Sequence, residues 1–253
     1  MNFGKGGFRL KSDFMVALNF LTVIPLGREN VFTPGRMAKS LCYYSLVGLL
    51  LGGLLGLVSM GGSALDLGWS GDIIVIAFLA FLTGGLHLDG LADTADGVFS
   101  SRPRDKKLQI MRDSRIGAIG AIVLWGFLSL KVALLGELSG FEKVKLLIFM
   151  PAVGRGLMVW SIVRFPYARE SGLGSLAQGG DWRSLAVNAF VLAASGFLVL
   201  GGYSLVIIVV VWGAVHLLST FLSRDLGGLT GDTYGAVCEF SETLTLFLGV
   251  MRW

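Results

Sequence analysis

Long apolar blocks without charge are the feature that most limits what this chain can fold into. Residues 41–65 contain no charged side chain, and residues 184–223 contain none either. About 20 apolar residues cross a bilayer as a helix, so the second block is long enough for two crossings. Only 15% of the residues are charged, whereas a soluble domain has about 25%. The sequence therefore predicts an all-α fold, a polytopic integral membrane helix bundle.

The apolar blocks predict about seven transmembrane helices, preceded by an N-terminal amphipathic or short membrane segment. That segment begins with Lys5, Arg9 and Lys11 and ends at Pro25, and no small-residue cleavage site follows it. Lys131 lies near the end of one block, where its side chain can snorkel to the interface. The predicted spans are residues 41–65, 73–88, 116–135, 146–163 and 236–250, with two more in 184–223.

The distribution of basic residues predicts the orientation in the membrane. Alternating the spans places the N-terminus and residues 89–115, 164–183 and 224–233 on one side, and these segments are rich in Lys and Arg. Basic loops mark the cytoplasmic side, so we expect a multi-pass protein of the cell inner membrane with this side in the cytoplasm. We expect residues 1–253 to form one membrane-embedded domain. No basic tract interleaved with aromatic residues is present, which argues against nucleic-acid binding.

Three aspartates in "HLDGLADTADG" follow one of the apolar blocks. Asp89, Asp93 and Asp96 are spaced i, i+4 and i+7, which places them on one face of a helix, where like charges repel. Mg²⁺ prefers hard carboxylate oxygens and relieves this repulsion, so the three residues predict a metal site. His87 points to the opposite side and is expected to be a satisfied polar group at an interface. The alternative is that the aspartates form a solvated helix cap.

The following segment, "SSRPRDKKLQIMRDSRIG", is rich in arginine. Arginine binds the paired oxygens of a phosphate well, so its arginines are candidate substrate contacts. Asp113 lies between two of them and is a further candidate ligand for metal or substrate. For residues 102–107 the alternative is a cytoplasmic loop that merely follows the positive-inside rule. The candidate arginines are Arg102, Arg104, Arg112 and Arg115.

A third motif, "RDLGGLTGDTYGAVCEFSE", begins with a glycine-rich loop. Glycines let backbone N–H groups approach a phosphate closely. Gly228 and Thr230 in this loop are therefore candidate substrate contacts.

The same motif places acidic residues in and beside the last apolar block. Asp232, Glu239 and Glu242 are functional candidates, because charges inside a membrane helix are costly to keep there. The alternative for the two glutamates is that they pair with Arg155 or Lys131 and hold the bundle together.

Acidic clusters and arginines on one side of a membrane are typical of metal-assisted phosphoryl transfer. No Walker lysine is present, so the sequence does not indicate ATP hydrolysis. One alternative is a CDP-alcohol phosphotransferase that acts on a lipid alcohol. Another is an ion-coupled transporter, which would place its charges near the bilayer midplane and in two related halves.

The motifs "GGLHLDGLADTADG", "RDKKLQIMRDSRIGAIG" and "GGLTGDTYGAVCEFSE" closely resemble the cobalamin synthase family, the adenosylcobinamide-GDP ribazoletransferases. The early "NFLTVIP" and "YYSLVGLLLG" also look like the start of that family. The resemblance implies a Mg²⁺-dependent membrane enzyme. Such an enzyme joins adenosylcobinamide-GDP with α-ribazole or α-ribazole 5′-phosphate, and it releases adenosylcobalamin or its 5′-phosphate and GMP. The resemblance also implies association with other nucleotide-loop enzymes, and a homo-oligomer is a further expectation.

The resemblance also implies roles for the acidic residues. It makes the three aspartates of the first motif metal ligands, with Asp113 as a further one. Asp96, Asp232 and Glu239 become candidate catalytic groups, and Asp232 with Glu239 or Glu242 completes a second metal site or supplies the base.

Overall fold

The computed structural model describes residues 4–24, 33–170, 172–177 and 179–252. These residues form eleven α-helices and no β-strand. Short 3-10 turns lie at Leu41–Tyr43 and Leu173–Ala177. The helices are α1 (Gly4–Leu21), α2 (Pro34–Ser40), α3 (Tyr44–Ala64), α4 (Trp69–Leu82), α5 (Leu86–Val98), α6 (Arg104–Ile110), α7 (Ala118–Gly136), α8 (Gly140–Arg164), α9 (Trp182–Leu200), α10 (Tyr203–Leu226) and α11 (Gly231–Val250).

Five helical stretches in the described residues are long and apolar enough to cross a membrane, and α4 with α5 makes a sixth if they are one broken span. The predicted multi-pass helix bundle is therefore confirmed, with five or six spans where about seven were expected. The seventh expected span was residues 236–250, which lie in α11. α11 is not among the candidate spans, because its acidic side chains make it too polar. The five stretches are Gly35–Ala64, Ala118–Gly136, Gly140–Arg164, Trp182–Leu200 and Tyr203–Leu226.

The aspartate motif does not continue the span that precedes it. α4 ends at Leu82, and α5 starts at Leu86 in a direction that differs by 89°. Gly84 and Gly85 make this bend with φ angles of +60° and +72°, a conformation that costs other residues energy. α5 therefore runs crosswise to α4 and presents its aspartates at one end of the bundle.

α8 is the central helix, and most of its residues are buried. α3 packs against it so closely that a Cβ on Gly48 would collide with the Pro151 carbonyl, and one on Gly52 with the Ile148 carbonyl. Small residues allow this close backbone contact, and the van der Waals packing that it provides is one of the forces that hold helices together in lipid. Packing against α8 thus explains Gly48, Gly52 and Gly56 of "GLLLGGLLGL", whereas a Cβ on Gly53 would meet no atom within 4 Å.

The polar segments between the helices meet at one end of the bundle, which we call the polar face (residues 99–117, 165–170 and 224–233). Arg104 Nε donates to the Leu226 carbonyl over 2.7 Å, and its Nη2 donates to the Ala168 carbonyl over 3.2 Å. Leu229 N–H donates to the Pro166 carbonyl, and Ala168 N–H donates to the Leu229 carbonyl. Hydropathy and charge predict this grouping, and the contacts confirm it.

The N-terminal segment forms helix α1, which is not among the candidate spans. Leu18 and Leu21 are fully buried in the cluster that also contains Tyr44 of α3. Val23 N–H donates to the Leu82 carbonyl, which ties the end of α1 to the end of α4. The predicted end of the segment at Pro25 lies outside the described residues.

Candidate active site

Two helices bring three aspartates together at the polar face. Asp89 and Asp93 lie on α5, and Asp232 lies in the first turn of α11. The helices touch at two glycines: a Cβ on Gly90 would lie 2.6 Å from the Asp232 carbonyl oxygen, and one on Gly235 would lie 3.1 Å from the His87 carbonyl oxygen. Close backbone contact therefore places Asp232 beside Asp89, and both carboxylates line one cavity.

The carboxylates form a group with an excess of negative charge. Asp93 lies close enough to Asp89, Asp96 and Asp232 to be repelled by each of them. Arg169 offsets one charge, because its Nη2 donates to Asp232 Oδ2 over 2.6 Å. Among the described residues this is the one ion pair that the group makes. Repulsion of this kind favours binding of a cation.

Asp96 lies on the same helix but is engaged elsewhere. Its Oδ2 accepts from Gly117 N–H over 2.7 Å, and its Oδ1 accepts from Gly120 N–H over 2.8 Å. Asp96 thereby caps the first turn of α7, whose N–H groups lack partners within the helix. The capping alternative holds for this residue, although the capped helix is not its own. A metal-binding or catalytic role for Asp96 stays a prediction.

Glu239 and Glu242 lie in a buried ion-pair network. Lys131 Nζ donates to Glu239 Oε2 over 2.6 Å and to Glu242 Oε2 over 2.5 Å. Arg155 Nη1 donates to Glu242 Oε1. Lys131 is 2% exposed, so the prediction that it snorkels is wrong: it ends on the glutamates and not at the interface. The bundle-stabilising alternative accounts for the hydrogen bonds of both glutamates, and their catalytic or metal-binding roles stay predictions.

The four arginines named from the sequence differ in their partners. Arg104 is engaged with the carbonyls of Leu226 and Ala168. Arg115 pairs with Asp113, and its hydrogen bonds lower the pKa of that carboxyl to about 2. Arg102 and Arg112 are exposed and make no hydrogen bond or ion pair with any described residue. They are therefore the arginines most available to an anionic substrate.

The glycine-rich loop is held by its own backbone contacts. Gly228 N–H donates to the Ser223 carbonyl and so closes the end of α10. Thr230 caps α11, because its Oγ1 accepts from Thr233 N–H and Thr233 Oγ1 accepts from Thr230 N–H. Gly228 and Thr230 thus help to position Asp232 in this structure. Their predicted contacts with substrate stay predictions.

Arg169 is the site residue that the sequence patterns did not single out. It lies in the basic segment 164–183, whose many charges follow from topology alone. Its distance from Asp232 in the sequence, 63 positions, hides the pairing. Only the contact between Pro166–Ala168 and the glycine-rich loop shows which arginine reaches the carboxylates.

The donor set matches magnesium in chemical type. The described residues include no group of three or more His, Cys, Asp or Glu side chains arranged to hold a metal. Mg²⁺ commonly uses one or two carboxylates, and substrate phosphates and water complete its coordination. Asp89 and Asp93, with Asp232 beside them, fit such an open half-site.

The contact between α5 and α11 leads to a prediction. Gly90→Ala is expected to lower activity by about tenfold or more, because the added methyl group must push Asp232 away from Asp89. Gly53→Ala on α3 is the matched control, since a Cβ there meets no atom within 4 Å. Gly53 is half-buried, and replacing it by alanine should stabilise the helix by up to about 1 kcal/mol. Thermal unfolding and turnover are measured on both, and equal activities would contradict the close contact.

Comparison with known proteins decides the family. A sequence profile described as cobalamin-5-phosphate synthase matches residues 13–250. The chain belongs to the cobalamin-5-phosphate synthase family. Membership places it among the transferases of cobalamin biosynthesis, and its multi-pass fold makes it a membrane-bound one. The resemblance seen in the three motifs is thereby confirmed.

Individual proteins of the family are similar to this chain over nearly its whole length. Three adenosylcobinamide-GDP ribazoletransferases illustrate this. The protein of Roseiflexus sp. (strain RS-1) is 42% identical and covers 91% of this chain and 86% of its own length. The one from Desulforamulus reducens is 40% identical, with 94% and 95% covered. The one from Klebsiella pneumoniae subsp. pneumoniae is 40% identical, with 92% and 97% covered. No solved structure matches the chain.

Proposed function

We propose that the chain joins adenosylcobinamide-GDP with α-ribazole or α-ribazole 5′-phosphate. The products are adenosylcobalamin or its 5′-phosphate, and GMP. The observation that carries the proposal is the convergence of Asp89, Asp93 and Asp232 from two helices at the polar face. The names of the relatives support the choice of substrates.

Mg²⁺ is the proposed cofactor, held by Asp89 and Asp93 with Asp232 beside them. When bound, it would neutralise charge on the diphosphate and on the leaving GMP. Arg102 and Arg112 would hold the remaining phosphate oxygens, because both are exposed and lack protein partners among the described residues.

The bond changes follow from the substrates. The 3′-oxygen of α-ribazole forms a bond to the phosphorus attached to cobinamide, and the bond from that phosphorus to the oxygen of GMP breaks. Asp232 is the proposed acceptor of the hydroxyl proton. Its Oδ1 has no partner among the described residues, whereas both oxygens of Asp96 are engaged.

The proposed location is the cell inner membrane, with the polar face in the cytoplasm. The concentration of arginine and lysine in the segments of that face supports this orientation. Its substrates are charged and water-soluble in their phosphate portions, so a polar face is where they would meet the enzyme. A homo-oligomer and an association with other nucleotide-loop enzymes stay predictions.

The test is turnover by the purified full chain in liposomes. Adenosylcobinamide-GDP and α-ribazole are supplied with Mg²⁺ or with EDTA, and GMP and the cobamide product are quantified. We expect both products in equal amounts, and only with the metal. A parallel reaction contains a CDP-activated lipid and a lipid alcohol. Product in that reaction alone would replace the proposal with a CDP-alcohol phosphotransferase, and folded protein inactive in both would refute it.

A further inference from the structure

Two cavities share Leu86 and Asp89 of α5 as lining residues. The larger, of about 620 Å³, is lined by Asp89 and Asp93 and by Ser114 of the basic segment. The smaller, of about 260 Å³, is more enclosed and is lined by Asp89 and Asp232. Asp89 is thus the carboxylate that both cavities share.

Aromatic rings form much of the wall of the smaller cavity. Tyr167 and Tyr234 lie with their ring centroids 6.3 Å apart, and Phe20 and Tyr44 stack with theirs 6.4 Å apart. An enclosed apolar cavity with a few polar groups is the usual form of a site for a small organic molecule. Aromatic walls of this kind suit a flat, apolar base.

His87 lines this cavity and has an unpaired hydrogen-bond donor. The residue is 2% exposed, and its Nδ1 lies 3.2 Å from Arg155 Nη2. A guanidinium group only donates, so Nδ1 accepts and the ring proton resides on Nε2. Nε2 is buried and has no partner among the described residues, so the expectation that His87 is a satisfied polar group is wrong for this nitrogen. Leaving such a donor unpaired is costly, and a ligand acceptor would recover that cost.

Arg169 also lines this cavity and has a second unpaired donor. Its side chain is 10% exposed, and its Nη2 is bound to Asp232. Its Nε is buried and has no hydrogen-bond partner among the described residues. The cavity has aromatic walls, and two of its lining residues carry a buried donor without a partner among the described residues. This combination indicates a ligand with an aromatic base and several oxygen or nitrogen acceptors.

We propose that the smaller cavity binds the acceptor nucleoside, α-ribazole, and that His87 Nε2–H orients it. This inference rests on the proposed function and assigns the two substrates to separate cavities. Adenosylcobinamide-GDP is far too large for 260 Å³, so its diphosphate lies over Asp89 and Asp93 in the larger cavity. The acceptor hydroxyl then reaches the phosphorus at the shared residue, Asp89, with Asp232 on its own side.

Two substitutions of His87 separate ligand binding from folding. His87→Asn keeps an acceptor at the place of Nδ1 for Arg155 and removes the Nε2 donor. His87→Gln keeps a donor near Nε2 and removes the acceptor for Arg155. We expect His87→Asn to weaken α-ribazole binding and raise its KM by about tenfold, the worth of one hydrogen bond, with a nearly unchanged Tm. We expect His87→Gln to keep the KM near the wild-type value and to lower the Tm.

A second pair of variants tests the location. Gly231→Leu adds a side chain beside the smaller cavity, where a Cβ at Gly231 meets no atom within 4 Å. Ser114→Leu adds the same group beside the larger cavity. We expect Gly231→Leu to raise the KM for α-ribazole by about tenfold and to leave the KM for adenosylcobinamide-GDP within about twofold. We expect Ser114→Leu to show the opposite preference.

Calorimetric titration of α-ribazole alone into the full chain provides a readout that does not depend on turnover. The assignment is overturned if His87→Asn and Gly231→Leu bind α-ribazole as the wild type does, or if they change both KM values equally. A wild-type chain that binds α-ribazole, loses it in these variants and yields no cobamide would support the cavity while refuting the proposed reaction.

Discussion

Asp93→Asn is expected to lower kcat by about a thousandfold or more, because it removes one carboxylate charge from the group that would hold Mg²⁺. The amide is nearly the same size, so the contacts of α5 with its neighbours remain and the Tm stays near the wild-type value. Residual activity should require a higher Mg²⁺ concentration. Turnover is measured over a range of Mg²⁺ concentrations, with the Tm recorded on the same preparations.

Two further variants serve as comparisons for Asp93→Asn. Asp105→Asn removes a carboxylate of the same polar face that is 90% exposed, and it should leave kcat and Mg²⁺ dependence unchanged. Asp96→Asn weakens the cap of α7 and should cost about 1 kcal/mol of stability, with a smaller loss of turnover than Asp93→Asn. Wild-type Mg²⁺ dependence in Asp93→Asn would remove that residue from the metal site.

Glu242→Gln is expected to destabilise the bundle by about 3–5 kcal/mol, the cost of removing one partner from a buried ion pair. The substitution leaves Lys131 and Arg155 with Glu239 as their one remaining carboxylate in the network. Glu142→Gln is the matched control, since its ion pair with Lys145 is partly exposed and worth at most about 1 kcal/mol. The free energy of unfolding is measured by titration with SDS in mixed micelles.

A charge-balanced double variant tests whether the network acts as a unit. Lys131→Met with Glu239→Met removes one positive and one negative charge and leaves Arg155 paired with Glu242. It should be more stable than either single substitution, because neither partner is left buried and unpaired. If Glu242→Gln instead keeps its stability and changes the Mg²⁺ dependence, the residue belongs to the metal site and not to the network.

The spacing of acidic and basic residues predicts much of the site. The i, i+4 relation of Asp89 and Asp93 places both on one helix face whatever surrounds that helix. Hydropathy and the positive-inside rule also predict that the segments around Asp113, Arg169 and Asp232 share one end of the bundle. The first inference depends on helical periodicity and the second on the membrane environment, so both can be made from a single sequence.

Other assignments depend on which helices become neighbours. Asp96 has the same spacing as its companions, yet the start of α7 takes both of its oxygens. Lys131 lies near the end of its span, yet it meets two glutamates from α11 before it can reach water. Arg169 looks like one basic residue among several until the backbone pairing at Leu229 places it beside Asp232.

The sequence by itself determines the solvent, the helical fold and the residues that bear the chemistry. An apolar chain in lipid must satisfy its backbone hydrogen bonds within helices, and acidic residues survive there only with partners or a function. Only the tertiary structure decides whether a given carboxylate has an ion-pair partner or is left available for a function. Helix contacts through Gly90 and Gly235 leave Asp89 and Asp93 without a partner among the described residues and bury Glu239 and Glu242 against cations. The physical reason is that pairing depends on distance in space, which the order of residues along the chain does not record.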